Sequence, residues 1–290
     1  MRKIFFLILA LLVSSGPALA GELLVVQSLR SPLYDEALKG FKETCPARNR
    51  TLVISDYAEV DLARVVREER PSLVLAVGDG ALAALRKVRN TPVVSLMALG
   101  IGSHEGVPGN LAGVSLSAHP EQYLALFRKL KSRRIGMVYN PVHTEWYVRQ
   151  ARALARQSGV ELVTREVHDP RQTIAQLDSL QGKVDAIWML PDTTAVTRET
   201  LEAYFLFSQA QSVPVISFSA THLRLGALAA LEVDRTELGR QTGLLALEFL
   251  EGETLEAKVA APRSVSIRVN EAVGRRLNYP AELIHSLFKR

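Results

Sequence analysis

The sequence predicts an α/β protein built as two doubly wound parallel-sheet lobes with a hinge between them. Three observations carry that reading. Short apolar runs alternate with amphipathic stretches along the chain, which is the pattern of repeated βα units. The runs are continuous, as in Leu73–Val77 and Val213–Phe218, and strands covered by helices on both faces require this. The series of βα steps occurs twice, on either side of a Gly-rich passage from Gly100 to Gly113. Such passages are natural places for a chain to cross between lobes.

In the first series the expected strands are Leu23–Gln27, Leu52–Ile54, Leu73–Val77 and Val93–Met97. The helices between them are Leu33–Thr44, Leu62–Glu69, stopped by Pro71, and Ala81–Val88. A strand at Leu111–Leu116 and a helix at Pro120–Lys131 lead into the second series. There the strands are Ile135–Tyr139, Glu161–Val167, Ala186–Leu190 and Val213–Phe218, with helices at Trp146–Ser158, Ile174–Leu180 and Thr197–Gln211. The helix Thr236–Leu250 and the tail from Ser264 come too late to form a third domain, so they are expected to return across the hinge and complete both sheets. The lobes are therefore assigned as residues 21–117 plus about 235–255, and 118–234 plus about 256–290, with a ligand cleft between them.

Length and composition agree with this reading. A chain of 290 residues makes one large or two medium units, and 48% hydrophobic with 22% charged residues excludes wholesale disorder. Cys45 is the single cysteine, which excludes an intramolecular disulfide framework or a multi-Cys metal site. The net charge of +5 is spread along the chain, so it indicates solubility and no nucleic-acid partner. The six His residues show no H-x-x-x-H spacing and there is no G-x-S-x-G elbow. A zinc site or a serine hydrolase therefore has no support, and no cofactor and no metal are expected.

Residues 1–20 read as a cleaved secretory signal peptide. Arg2 and Lys3 precede the apolar run Ile4–Val13, and Ala18-Leu19-Ala20 gives the Ala-x-Ala cleavage pattern before Gly21. The run is shorter than the ~20 residues needed to span a bilayer, although a retained signal anchor is the alternative. No Cys follows it to take a lipid. A periplasmic protein without a lipid anchor, beginning at Gly21, is expected. Nicotinamide and ATP chemistry are disfavoured outside the cytoplasm.

Ligands of such sheets bind outside the carboxyl ends of the strands, where helix N-termini direct N–H groups into a crevice. Two such sheets facing each other make a cleft that closes by hinge motion. This architecture points to a binding protein.

The stretch Arg134-Ile135-Gly136-Met137-Val138-Tyr139-Asn140-Pro141 resembles Arg-Ile-Gly-Val-Leu-Tyr-Asn-Pro of a family of ABC-transporter substrate-binding proteins that includes tryptophan- and tyrosine-binding members. Gly182-Lys183-Val184-Asp185-Ala186-Ile187 with Asp192 and Thr194 resembles that family's second-lobe strand and ligand loop. Gly226-Ala227-Leu228-Ala229, Asp234, Leu238-Gly239 and Gly243 resemble its returning helix. In the first lobe, Gln27, Pro32, Lys39-Gly40-Phe41, Pro92-Val93-Val94, Gly109-Asn110 and Gly113-Val114-Ser115 match as well. The ordered set covers nearly all of the chain after the leader. It implies a type I periplasmic-binding-protein architecture with Rossmann-like lobes and no enzymatic activity. The implied role is binding an amino acid or related amine-bearing compound and delivering it, as a monomer, to an ABC permease in the inner membrane. A periplasmic sensor presenting its ligand to a membrane receptor is the alternative.

The resemblance places Asp192 facing the cleft, where it would pair with a ligand amine; a carboxylate before a helix is also a common cap. Thr193 and Thr194 offer hydroxyls to either role. Gly78-Asp79-Gly80 with Ala83 also reads as G-x-G-x-x-A. A nucleotide is disfavoured there, because Asp79 would repel a pyrophosphate and no acidic residue ends the next strand. The two glycines would instead let the backbone approach a small ligand closely. The family tends to carry Thr or Ser at Asp79, and an Asp there suits an amine, a hydroxyl or a cation. Asn140 matches the family, whereas His143 stands where Glu is usual and Glu145 where Asn is usual. These three and Thr144 are candidates against solvated loop residues. Trp146 and Tyr147 are read as a ligand shelf or as ordinary packing. Ser217 and Ser219 replace a Gly and a Glu of the family, and Ser31 precedes Pro32 at a helix start. Asp79 and Asp192 facing each other as paired carboxylates leave a glycosidase- or isomerase-like alternative formally open.

Overall fold

The computed structural model describes residues 23–104, 109–252 and 258–288; the expected leader, residues 1–20, lies outside the described residues. The first lobe runs β1 (Leu23–Gln27), α1 (Pro32–Thr44), β2 (Asn49–Val53), α2 (Leu62–Glu69), β3 (Leu73–Val77), α3 (Asp79–Ala84), β4 (Val93–Leu96) and β5 (Leu111–Val114). The second runs α4 (Pro120–Lys129), β6 (Arg134–Tyr139), α5 (Pro141–Ser158), β7 (Glu161–Glu166), α6 (Gln172–Asp178), β8 (Ala186–Trp188), α7 (Leu201–Gln211), β9 (Val215–Ser217) and β10 (Ala229–Val233). Then follow α8 (Arg235–Leu250), β11 (Val259–Ala260), β12 (Val265–Val269), α9 (Glu271–Arg276) and α10 (Ala281–Phe288).

The strand orders are β11-β5-β4-β3-β1-β2 and β12-β10-β9-β8-β6-β7, the same pattern in both sheets. Every pairing is parallel except β10 with β12. The chain passes between the sheets after β5, after β10 and after β11. It thus stays in the first sheet through Ala260, a few residues later than the boundary near 255 read from the sequence.

The central strands β1, β3, β4, β8 and β9 are buried on both faces, which explains the continuous apolar runs. Along β3, Leu73, Leu75 and Val77 enter the core beneath α1 and α8, while Val74 and Ala76 enter the core beneath α2 and α3. The second sheet repeats this, with Ile135, Met137 and Trp188 on one face and Val138 and Ile187 on the other. Successive side chains of a strand point to opposite faces, so such strands are apolar along most of their length, with small polar exceptions at Ser95 and Ser217. Cys45 is 1% exposed within the first of these cores, and burial pushes its thiol up.

Helix starts follow capping chemistry more closely than apolar periodicity. Asn140 caps α5 through Val142 N, and Pro141 holds the first helical position, where its missing N–H costs nothing. The helix therefore begins at Pro141 and not at Trp146, and His143 to Glu145 lie in its first turn instead of a loop. Conversely, α7 begins at Leu201 and not at Thr197, because the Thr197 and Thr200 hydroxyls tie up the backbone between them in a turn. The segment Ala229–Val233, read with the returning helix, is instead the strand β10 between β9 and β12.

The helices α1 and α8 meet backbone to backbone, which explains three of the glycines that carry the family resemblance. A Cβ on Gly40 would lie 1.9 Å from the Thr236 carbonyl oxygen, and one on Gly239 would lie 1.9 Å from that of Ala37. At Gly243 it would lie 2.1 Å from the Thr44 hydroxyl, which itself donates to the Arg240 carbonyl at 2.9 Å. This contact fixes the segment that returns from the second lobe against the first. Gly239→Ala cannot be absorbed without separating the helices, so it should destabilise by about 1–3 kcal/mol or more. A urea-unfolding midpoint equal to that of the wild type would contradict this.

Candidate functional site

The chain crossings and the carboxyl ends of the central strands enclose a cavity of about 310 Å³, at the lower end of the roughly 300–1,000 Å³ of ligand pockets. The first lobe contributes Leu33 from the start of α1 and Met97 and Leu99 from beyond β4. The first crossing contributes Leu116, Ser117 and Ala118, and α4 contributes Tyr123. From the second lobe come Pro191, Asp192, Thr193 and Val196 after β8, and Phe218 and Ser219 after β9. Leu231, Glu232, Val233 and Arg235 close the circle at the second crossing. The walls are mostly apolar, with a few polar groups, as in sites that enclose small organic ligands.

Tyr123 is the aromatic wall. It is 2% exposed, and its ring stacks on Trp188 with centroids 4.6 Å apart. Trp188 is wholly buried and is met edge-on by Tyr147 at 5.8 Å. Burial pushes the Tyr123 phenol up, so it stays a neutral hydroxyl. Tyr147 is committed elsewhere, donating to the Ala118 carbonyl at 2.7 Å. Trp146 bridges the lobes: a Cβ on Gly102, in the short 3-10 helix Leu99–His104, would lie 2.2 Å from its ring. Of the pair read as a ligand shelf or as ordinary packing, Tyr147 is thus a packing residue and Trp146 an interlobe contact.

The structure brings together Asn140, Thr144, Asp192 and Thr194. The Asp192 carboxylate is 2% exposed. Its Oδ2 accepts from Asn140 N at 2.8 Å and Thr144 Oγ1 at 2.5 Å, and its Oδ1 accepts from Thr194 N and Ala195 N, both at 2.8 Å. Asn140 Nδ2 donates to Thr194 Oγ1 at 3.0 Å. Asp192 therefore touches the cavity with both oxygens already engaged, and this cluster clamps the loop after β8 to the start of α5. Thr193, next to it, is exposed and lines the cavity.

The other expected residues lie outside the cavity lining, except Ser219. Around Gly78 the space is filled by the protein itself, since a Cβ there would meet the Tyr34 hydroxyl at 2.1 Å and the Ser28 hydroxyl at 2.8 Å. At Gly80 it would meet Ser28 at 3.1 Å. Asp79 is exposed, and its carboxylate accepts from Leu99 N at 3.2 Å and Gly100 N at 2.7 Å, holding the 3-10 helix that Trp146 touches. Ser31 caps α1. His143 is exposed on α5. Glu145 accepts from Tyr139 Oη at 2.6 Å and pairs with Arg152 at 3.2 Å. Ser217 is wholly buried with its hydroxyl 2.5 Å from His222 Nδ1; burial holds the His222 imidazolium below its ordinary range. Ser219 lines the cavity and caps the turn Ala220–Leu225.

Sequence reading missed Tyr123, Phe218, Glu232 and Arg235 as cavity residues. One signal was available for Glu232, a charge set inside the apolar strand Ala229–Val233. The others become neighbours only through the crossings.

Two parallel-sheet lobes, joined by three crossings around an apolar cavity at their strand ends, define a two-lobed ligand-binding protein. Residues 26–278 match the family described as ABC transporter substrate binding protein, and the chain belongs to that family. It is 22% identical over 272 residues to the tyrosine-binding protein of Clostridioides difficile (strain R20291), covering 85% of this chain and 78% of that one. Among solved structures it is similar to a ligand-free, open substrate-binding protein with adhesive properties from Clostridium difficile. That likeness has a TM-score of 0.71 at 19% identity and covers 90% of this chain and 96% of that one. It is also similar to an ABC domain in complex with L-Trp from Streptococcus pneumoniae, with a TM-score of 0.67 at 19% identity, covering 91% and 97%. These likenesses show the type I periplasmic-binding fold.

Proposed function

We propose that this protein is the exported solute-binding component of an ABC importer. It closes its lobes over a small polar molecule, an amino acid or related amine-bearing compound, hands it to a permease in the inner membrane and performs no covalent chemistry. The observation that carries the reading is the mostly apolar cavity at the crossings, where a ligand touches both lobes at once and so favours their closed arrangement. The tyrosine and L-Trp named for the relatives support an amino acid with an apolar or aromatic side chain. The basic and apolar start of the chain supports export, with cleavage before Gly21 and release into the periplasm as a monomer.

Thermal unfolding of residues 21–290 in the presence of each of the twenty L-amino acids tests this. At about 100 times its dissociation constant a ligand stabilises by about 2.7 kcal/mol, a rise of roughly 5–10 °C in Tm. No rise with any amino acid or small amine, together with turnover of a substrate, would overturn the reading.

A further inference from the structure

We propose that Glu232 and Arg235, at the second crossing, read the ammonium and carboxylate groups of the ligand, so that the cavity selects a zwitterionic α-amino acid over its amine or acid analogues. This rests on the solute-binding reading above.

The cavity holds three charged side chains, Asp192, Glu232 and Arg235. Asp192 has two donors on each oxygen, and a carboxylate offers about four acceptor sites in all. A ligand ammonium at Asp192 would have to displace one of those bonds. Glu232 is different. Its Oε1 accepts only a long bond of 3.4 Å from Ala220 N, and its Oε2 accepts none among the described residues. Arg235 donates from Nε to Glu36 Oε2 at 2.7 Å and leaves Nη2 without a hydrogen bond among the described residues. Glu232 Oε1 and Arg235 Nη1 stand 3.9 Å apart, beyond hydrogen-bond distance.

An α-amino acid carries its two charges on one carbon, so it can lie along this pair with the opposite order of signs. Its ammonium then meets Glu232 and its carboxylate meets Arg235, a residue type suited to planar, bidentate recognition of a carboxylate. The side chain is left to face Tyr123 and Phe218. Tyr123, 2% exposed, and Phe218 both line this space. The Glu36–Arg235–Glu232 series also runs from α1 of the first lobe to β10 of the second, so the ligand's charges complete an arrangement that spans the hinge.

Calorimetry on residues 21–290 tests this with the tightest-binding L-amino acid of the twenty, its decarboxylated amine and its deaminated acid. The wild type should bind each analogue about 10- to 100-fold more weakly than the amino acid, the equivalent of one charge-assisted contact. Glu232→Gln should weaken the amino acid and the amine by about that factor and leave the acid unchanged. Arg235→Gln should weaken the amino acid and the acid and leave the amine unchanged. If the wild type binds an amino acid but does not discriminate against the analogues, or the two variants weaken all three ligands alike, the assignment is overturned and the solute-binding reading stands. If the wild type binds a small amine but no amino acid, the assignment is overturned and the solute-binding reading stands; if it binds neither and turns over a substrate, the solute-binding reading falls and takes the assignment with it. The wild-type comparison needs no variant, so a variant that fails to fold leaves the test intact.

Discussion

Asp192→Ala should lower stability by about 3–5 kcal/mol, because it strands four buried donors at once: the N–H groups of Asn140, Thr194 and Ala195 and the Thr144 hydroxyl. A single unsatisfied buried donor costs about 1–3 kcal/mol, and losses above about 4 kcal/mol arise from a short set of such mechanisms. Relaxation of the loop after β8 and entry of water offset part of the sum, which is why the expected total lies below four full penalties. Asp192→Asn should cost less, about 1–3 kcal/mol, since the amide keeps one accepting oxygen but turns an NH2 group toward donors. Urea titration of the three proteins in the absence of ligand checks this order. A midpoint for the Ala variant within error of the wild type would mean that Asp192 is not the clamp between the β8 loop and α5.

Trp188→Ala should cost about 3–5 kcal/mol and weaken ligand binding as well. The side chain is wholly buried, and its removal leaves a void directly behind Tyr123, with which it stacks at 4.6 Å. Tyr123 can then fall away from the cavity, so the wall loses its position as well as its backing. Trp188→Phe should be much milder, because the indole Nε1 has no hydrogen-bond partner among the described residues. Phe gives up that unpaired donor and a modest volume, while keeping an aromatic face for Tyr123 and Tyr147. The measurement is unfolding by urea together with calorimetric affinity. An Ala variant that loses stability but binds with wild-type affinity would show that Tyr123 holds its place without Trp188. The Phe variant has a second use: Trp146, at the contact between the lobes, becomes the one tryptophan left in the chain.

Much of the fold is legible before any coordinates. The strand Leu73–Val77 and the helix Leu62–Glu69 have the bounds that their apolar pattern and stop signals give. The errors cluster where capping outranks periodicity. Asn140 and Pro141 start α5 five residues ahead of its first aromatic residue, and Thr197 with Thr200 delay α7. The strand β10 escaped notice because Ala229–Val233 is short, rich in Ala and interrupted by Glu232. Its pairing with β12 is antiparallel and distant in sequence, so no local rule announces it.

The site was less legible. Reading outward from strand ends finds Asp192, Thr193 and Ser219, which do line the cavity, but also Gly78, Asp79 and Glu145, whose partners are other parts of the protein. A carboxylate after a strand looks the same in a sequence whether it awaits a ligand or holds a loop. Only its donors distinguish the two.

By itself, the sequence determined the two doubly wound lobes and the buried strands at their centres, because side-chain periodicity and stop signals act over a few residues. The tertiary structure decided which charges face the cavity. Asp192 is saturated only because groups about fifty residues away in the chain take its Oδ2, and Glu232 and Arg235 reach the cavity only because the chain recrosses between the lobes there. Hydrogen-bond capacity is shared among whatever the fold brings together, so the allotment of each carboxylate is a property of the assembled molecule.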